Sequence, residues 1–96
     1  MICWVMYDIK IDNARTKIAK ACELSGLNRV QYSVFLGTIE ANEKDVLQLK
    51  IEDLMDEETD SVYMFPMSKD ELKSTVLLGQ AFDKESVTDE IKSLFL

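Results

Sequence analysis

The sequence of 96 residues contains no histidine, only two cysteines and a single proline. Without histidine the chain cannot build a Ser-His-Asp triad, a histidine general base or a histidine-ligated metal site. Cys3 and Cys22 both lie among apolar residues, which is typical of reduced core thiols. The sequence therefore excludes a disulfide framework and a cysteine metal motif as well as histidine chemistry.

Long hydrophobic runs are also absent, since no apolar run approaches the about 20 residues of a membrane span. The first residues lack the basic, apolar and small-residue pattern of a signal peptide. Hydrophobic residues make up 47% of the chain, which argues against disorder. We expect one small cytoplasmic domain with no membrane partner, of marginal stability that a dimer interface would improve.

Positive charge is scarce, because Arg15 and Arg29 are the only arginines and the formal net charge is -7. The charges are unevenly distributed: residues 1–38 hold five basic and three acidic side chains, whereas the acidic excess lies in residues 39–96. A basic first third could form one basic face that binds nucleic acid. The alternative is that these charges only solvate a helix.

The apolar run of residues 2–7 predicts a buried strand, and Asp8 follows it directly. A carboxylate at the end of an apolar strand is costly unless it has a partner or a function. If Asp8 instead begins a solvated loop, its carboxylate stays in water and there is no burial cost. Both interpretations of Asp8 are open at this point.

Two amphipathic helices are predicted. Asp12 or Asn13 is expected to cap the first, and Gly26 to end it in the left-handed conformation. Asn42 is expected to cap the second, with Asp45 three residues later. The inward-facing positions follow from their helical spacing: Ile11, Ala14, Ile18, Ala21, Cys22 and Ser25 in the first helix, and Leu47, Ile51, Leu54 and Met55 in the second.

Extended structure is predicted for residues 29–40 and 61–67. The first segment is too long for one ordinary strand, so we expect two strands with a change of direction between Ser33 and Gly37. Pro66 has no N–H to donate, which indicates an edge strand or a strand end.

The remaining segments are polar or short. The acidic residues 56–60 lack the spacing of a Ca²⁺ loop and predict a solvated turn. Residues 68–74 are expected to be a polar connector, and 75–78 a short extra strand. We expect a domain over residues 1–79 and a docking tail over 80–96, in which the apolar residues could form a short helix.

The predicted order is β-α-β-β-α-β plus a short strand, which is the α+β, ferredoxin-like sandwich of two helices on an antiparallel sheet. The other face of the sheet is also apolar, and little of the chain is left to cover it. A homodimer that packs sheet on sheet would cover this face.

Four features occur together: Tyr7-Asp8-Ile9, a basic helix, Gly26, and the run from Arg29 to Phe35. Together they resemble the small CRISPR-associated endonuclease, the lesser subunit of the spacer-acquisition complex. The resemblance implies a ferredoxin-like homodimer in which the Asp8 residues of the two chains face each other across the twofold axis. It also implies a metal-dependent endonuclease for single-stranded RNA or duplex DNA, and a duplex-DNA scaffold beside the CRISPR integrase subunit.

By position, the resemblance assigns the functional roles to Tyr7, Asp8, Arg15, Arg29 and Phe35. Asp8 from both chains would hold Mg²⁺ or Mn²⁺, and the arginines would bind phosphate oxygens bidentately. Tyr7 would position water or phosphate, and Phe35 would stack on a base or pack in the core.

The sequence departs from the family pattern at two places. Lys17 stands where many relatives have a second arginine, and lysine is a point charge without the bidentate fork. Leu36-Gly37 replaces an acidic residue that often follows the phenylalanine. Three functions therefore remain: a scaffold for DNA integration; a metal-dependent nuclease, including a toxin-like endoribonuclease of the virulence-associated D type; and a ferredoxin-like regulatory module without nucleic acid.

Overall fold

The computed structural model describes residues 1–79 as four strands and three helices. The predicted docking tail and its helix lie outside these residues. The elements are β1 (Ile2–Asp8), α1 (Asp12–Leu24), β2 (Asn28–Gln31), β3 (Val34–Thr38), α2 (Ala41–Leu54), β4 (Ser61–Met67) and α3 (Lys69–Lys73).

The strands form one antiparallel sheet in the order β2-β3-β1-β4. This confirms the predicted ferredoxin-like arrangement, with the apolar β1 in the interior and the proline-containing β4 at an edge. Side chains alternate across β1 because successive strand residues point to opposite faces. Cys3, Val5 and Tyr7 belong to the core under the two long helices. Ile2 and Trp4 belong to a second cluster, on the other face.

The helix layer was predicted well in its interior and less well at its ends. Ile18 and Cys22 in α1 and Leu47 and Ile51 in α2 are buried in the helix-side core. The predicted side-chain caps are wrong. The carbonyls that accept the first helical hydrogen bonds belong to the preceding residues, Ile11 and Glu40, and neither helix has a capping side chain.

The chain reverses between β2 and β3 at Tyr32 and Ser33, slightly before most of the predicted span. Ser33 has a φ of 65°, an uncommon conformation for a residue other than glycine. Its carbonyl accepts a hydrogen bond from the backbone N–H of Tyr7 at 3.1 Å. Farther along β3, a Cβ on Gly37 would lie 3.1 Å from Cα of Leu27. The connection from α1 to β2 therefore packs directly on β3.

The predicted polar connector and extra strand are both replaced by other structure. Residues 69–73 form α3, which begins with a capping box between Ser68 and Glu71. Leu72 of this helix is buried against the second face of the sheet. The backbone N–H of Thr75 bonds to the Leu72 carbonyl, so the chain leaves α3 in a turn. Residues 75–78 form no strand in the part of the chain described here.

The second face of the sheet is thus partly covered by its own chain. Its buried cluster consists of Ile2, Trp4, Val30, Leu36 and Leu72. On β4, Tyr63 and Phe65 remain exposed, and their rings lie 6.2 Å apart and nearly parallel. The homodimer stays a prediction. Its interface could include only the part of this face that the chain itself leaves exposed.

Candidate nucleic-acid interface

Tyr7 lies in the helix-side core and not on the surface. Its ring stacks with that of Phe35 at a centroid distance of 6.3 Å. Its hydroxyl is buried and makes no hydrogen bond of ordinary geometry within residues 1–79, although the Arg29 side chain lies near it. Burial raises the pKa of the Tyr7 phenol, and the nearby Arg29 partly opposes this rise. Tyr7 therefore belongs to the interior of the protein and is not presented to a ligand.

Phe35 is fully buried and supports Arg29. The two residues are opposite each other in the β2–β3 register, and the guanidinium carbon of Arg29 lies 5.1 Å from the centre of the Phe35 ring. Such cation–π contacts are favourable and restrict the orientation of the cation. In this structure Phe35 packs in the core and orients an arginine, and its ring is not exposed to a base.

Arg15 is fixed at the start of α1. Its Nη1 donates to the Ile9 carbonyl at 3.1 Å, and its Nη2 forms an ion pair with Asp12. The side chain is 29% exposed. Because a guanidinium has five N–H donors, these contacts orient Arg15 and leave capacity for a phosphate.

The two arginines meet at one open groove of about 330 Å³, between α1 and the β2–β3 turn. Its lining residues are Arg15, Thr16, Ala19, Lys20, Glu23, Arg29 and Tyr32. Sequence reasoning did not single out Lys20 or Tyr32. The signal for Lys20 was its place on the basic helix, whereas Tyr32 became visible only with the position of the turn. We call this feature the arginine groove.

Asp8 lies apart from the arginine groove. As the next residue along β1 from Tyr7 it follows the alternation to the other face of the sheet, opposite Ser61 of β4. Its carboxylate is 73% exposed and pairs with the Lys10 ammonium at 3.1 Å. Exposed pairs of this kind contribute little to stability. Within one chain, the predicted metal ligand Asp8 therefore lies away from the predicted phosphate ligands Arg15 and Arg29.

The residues of one chain do not complete a metal site, since residues 1–79 contain no group of three potential ligands. Mg²⁺ accepts one or two carboxylates and keeps several waters. Asp8 alone supplies one carboxylate, so two chains that bring their Asp8 residues together would fit this preference. Mn²⁺ favours the same oxygen ligands.

The acidic segment 56–60 forms a turn, as predicted. The Asp60 carboxylate accepts hydrogen bonds from the backbone N–H groups of Lys10 and Asp56, each at 2.9 Å. These donors lower the pKa of Asp60. The carboxylate thus has a structural role, in which it ties the turn to the loop after β1.

No helix within residues 1–79 is both long enough and apolar enough to cross a membrane.

Comparison with known proteins places these features in a family. The family model for CRISPR associated protein Cas2 matches residues 1–75. An Archaeoglobus fulgidus protein named CRISPR-associated endoribonuclease Cas2 1 is 36% identical over 67 residues, which cover 70% of this chain and 71% of the relative. A Chloroflexus aurantiacus protein, named CRISPR-associated endoribonuclease Cas2 2, is 34% identical over 83 residues, or 86% and 98% of the two chains.

Solved structures agree. The crystal structure of Streptococcus pyogenes Cas2 at pH 6.5 has a TM-score of 0.70 with 27% identity, and covers 82% of this chain and all of that one. A Thermus thermophilus protein described as hypothetical has a TM-score of 0.69 with 26% identity, and covers 84% and 92%. The chain belongs to the Cas2 family of CRISPR-associated proteins.

Proposed function

We propose that this chain acts in CRISPR spacer acquisition as a homodimeric subunit that binds duplex DNA as a scaffold beside the integrase. The observation that carries the proposal is the arginine groove, in which Arg15, Lys20 and Arg29 converge on one open surface. Both guanidinium groups are oriented by contacts within the chain. Little side-chain entropy then remains to be lost when a phosphate binds.

The chemistry of the groove suits the DNA backbone. Arginine forks bind phosphate oxygens bidentately, and phosphate contacts fix position without reading sequence. A scaffold for many different spacers needs this kind of recognition. Tyr7 and Phe35 support the groove from the core, because their rings stack under Arg29.

The exposed part of the second sheet face supports the homodimer. Tyr63 and Phe65 are large, exposed and stacked on β4, and Asp8 lies on the same face of the neighbouring β1. Packing this face against its copy would bury the aromatic rings and bring the two Asp8 residues into one interface.

Metal-dependent phosphodiester hydrolysis is a second proposed activity of the same dimer. It is favoured by the exposed Asp8 carboxylate and by the relatives that are named endoribonucleases. Asp8 from each chain would hold Mg²⁺ or Mn²⁺, and the substrate would be single-stranded RNA or duplex DNA. When bound, such an ion activates water and polarises the phosphodiester. In this chain, Lys10 pairs with one oxygen of the exposed Asp8 carboxylate, and the other oxygen would be open to an ion.

The DNA proposal is tested by the salt dependence of duplex binding. Arg15→Ala and Arg29→Ala should each weaken binding and reduce the slope of log K against log salt by about 0.9, the value for one phosphate contact. Lys50→Ala is the matched control, because Lys50 is exposed on α2 and does not line the groove. Unchanged slopes for both arginine variants would remove the groove from the DNA interface.

The integrase partner is tested separately, by co-purification of this protein with a larger integrase subunit from cells that express both. A protein that binds duplex DNA but never co-purifies with the integrase would contradict the scaffold function. That result would not affect the conclusion that the arginine groove binds duplex DNA.

A further inference from the structure

Both long helices carry exposed side chains on the side that faces away from the sheet. Their buried positions belong to the helix-side core, so the opposite sides of α1 and α2 form one outward surface. Leu24 of α1 and Val46 and Leu49 of α2 are large apolar residues on this surface, and each is more than half exposed. We call it the outer helix face. Its central residues are Lys17, Lys20, Leu24, Val46, Leu49 and Asp53.

The charges of the outer helix face are divided between the two helices. In α1, Arg15 pairs with Asp12, and the remaining charged residues are two lysines and Glu23. In α2, Lys44 pairs with Asp45, and the remaining charged residues are three carboxylates and one lysine. The two helices lie against each other. The outer helix face therefore has a basic half on α1 and an acidic half on α2.

We propose that the outer helix face binds the outer helix face of a second copy of this chain, with α1 of each copy on α2 of the other. A twofold axis parallel to the helices produces this arrangement, in which each basic half meets an acidic half. It also covers the exposed leucines and valine of both copies. A twofold axis across the helices would instead bring α1 onto α1 and lysine onto lysine. Charge complementarity therefore selects one of the two arrangements.

The size of the outer helix face makes this contact weak. Helix α1 has 13 residues and is therefore about 20 Å long, and two packed helices together are about 20 Å wide. The face thus offers about 400 Å² on each copy, whereas a standard stable interface buries about 800 Å² per partner. We expect a reversible association that salt weakens, since exposed charges attract each other less at high ionic strength.

Lys20 connects the outer helix face to the arginine groove, because it belongs to both. A second copy bound over α1 would place the carboxylates of its α2 beside this lysine, where the proposed function places DNA phosphates. Self-association and duplex binding should therefore exclude each other, and this part of the inference rests on the proposed function. The acidic α2 then substitutes for the DNA backbone when no DNA is bound, which gives its negative charge a role in a DNA-binding protein.

Sedimentation velocity of the full chain without DNA tests the contact. The chain should form larger species at about 0.05 M salt than at about 0.5 M salt, because screening is far stronger at the higher concentration. The proposed sheet-on-sheet dimer is held by apolar surface and should persist at both. The same species at both salt concentrations, at the highest soluble protein concentration, would overturn the proposal.

Charge reversals identify the surface. Asp53→Lys and Lys17→Glu should each weaken the low-salt association about tenfold, since every reversal acts twice in a symmetric contact. A chain that carries both reversals has opposite charges across the contact again and should associate as the wild type does. Glu58→Lys is the matched control, because it makes the same change of charge as Asp53→Lys in the turn after α2, and it should have no effect. A double variant that associates no better than the single variants would overturn the proposal.

Duplex DNA separates this inference from the proposed function. A short duplex added to the wild type at low salt should convert the larger species into DNA-bound protein of the size seen at high salt. Undiminished association of the DNA-bound protein, still sensitive to Asp53→Lys, would overturn the competition. If the chain associates through the outer helix face but binds no duplex, the proposed function is wrong and the contact between copies is supported.

Discussion

The two faces of the sheet differ in what they do with functional side chains. On the helix side, Tyr7 and Phe35 are buried and hold Arg29 in place at the arginine groove. On the other side, the Asp8 carboxylate and the stacked Tyr63 and Phe65 rings are exposed. The helix-side face is covered by α1 and α2 of the same chain. The opposite face keeps exposed apolar surface that a partner could cover.

This difference separates residues that are adjacent in the sequence. Tyr7 and Asp8 follow each other in β1, yet one is packed in the core and the other lies in solvent on the opposite face. Residues of one motif can therefore act through different physical means. Tyr7 acts through packing, whereas the proposed role of Asp8 is in chemistry between two chains.

The largest expected effect comes from truncating the helix-side core. Phe35→Ala should lower the free energy of unfolding by about 3–5 kcal/mol, since Phe35 is fully buried and the change leaves a cavity. Phe65→Ala is the matched control on the other face, where the ring is 44% exposed. Urea unfolding of both variants gives the comparison, at a protein concentration where the chain is monomeric.

If Phe65→Ala proves as destabilising as Phe35→Ala under these conditions, the contrast between the faces is incorrect. A large effect of Phe65→Ala that appears only at high protein concentration would instead support the proposed dimer, because the loss would then depend on association.

A smaller effect is expected from a pair of substitutions at adjacent positions of β1. Asp8→Asn should leave the unfolding free energy within about 0.5 kcal/mol, because the side chain is exposed. It should lower metal-dependent cleavage at least about 100-fold. Mutating a residue that only hydrogen-bonds a metal ligand already lowers activity by up to about 100-fold, and Asp8 would be the ligand itself. Tyr7→Phe removes a buried hydroxyl that makes no hydrogen bond of ordinary geometry within residues 1–79, so it should keep or raise stability.

Cleavage assays with Mg²⁺ or Mn²⁺, together with thermal unfolding, measure both variants. Full cleavage by Asp8→Asn would eliminate Asp8 as the metal ligand and any hydrolysis through it. A marked loss of stability in Tyr7→Phe would show that the Tyr7 hydroxyl has a partner in solution.

The smallest expected effect is a loss of stability at alkaline pH. Burial raises the pKa of the Cys22 thiol to about 12, from an ordinary value of 9.0. Between these values the unfolded chain loses a proton that the folded chain keeps, so stability falls as pH rises. From pH 9.0 to 10, Cys22 should account for about 1 kcal/mol of this fall.

Unfolding of wild type and Cys22→Ala over this pH range tests the effect. The variant should show a shallower decline, although not a flat one, since the pKa of Cys3 is also raised by burial. Identical slopes in the two proteins would show that Cys22 is not protected from ionisation by the fold.

The sequence predicted the parts of the fold that depend on periodicity. The apolar run of β1 and the helical spacing of Ile18, Cys22, Leu47 and Ile51 correspond to the buried core. The helix caps were mispredicted because the backbone of the preceding residues starts each helix without a capping side chain. The turn lies at the very start of the predicted span, with Ser33 inside it and Tyr32 just before it. No glycine or asparagine marks the position more closely.

The sequence predicted which residues belong to the candidate site. It did not predict where each of them lies in the structure. The family motif identified the five residues, but burial and strand alternation decide which of them can touch a ligand. Phe35 is inside because its face of β3 lies under the helices. Tyr32 was not singled out because its importance depends on a groove formed by distant segments. The segment after Ser68 was mispredicted because burial of Leu72 on the second face favours a helical turn.

The alternation along β1 also limits how this protein can change length in evolution. A single residue inserted between Trp4 and Tyr7 would move every later side chain of the strand to the other face. Asp8 would then lie under the helices and Tyr7 in solvent, so the core and the proposed metal ligand would be lost together. Insertions or deletions of two residues would keep both faces. Length changes in β1 should therefore occur in pairs, or be confined to the loops that flank it.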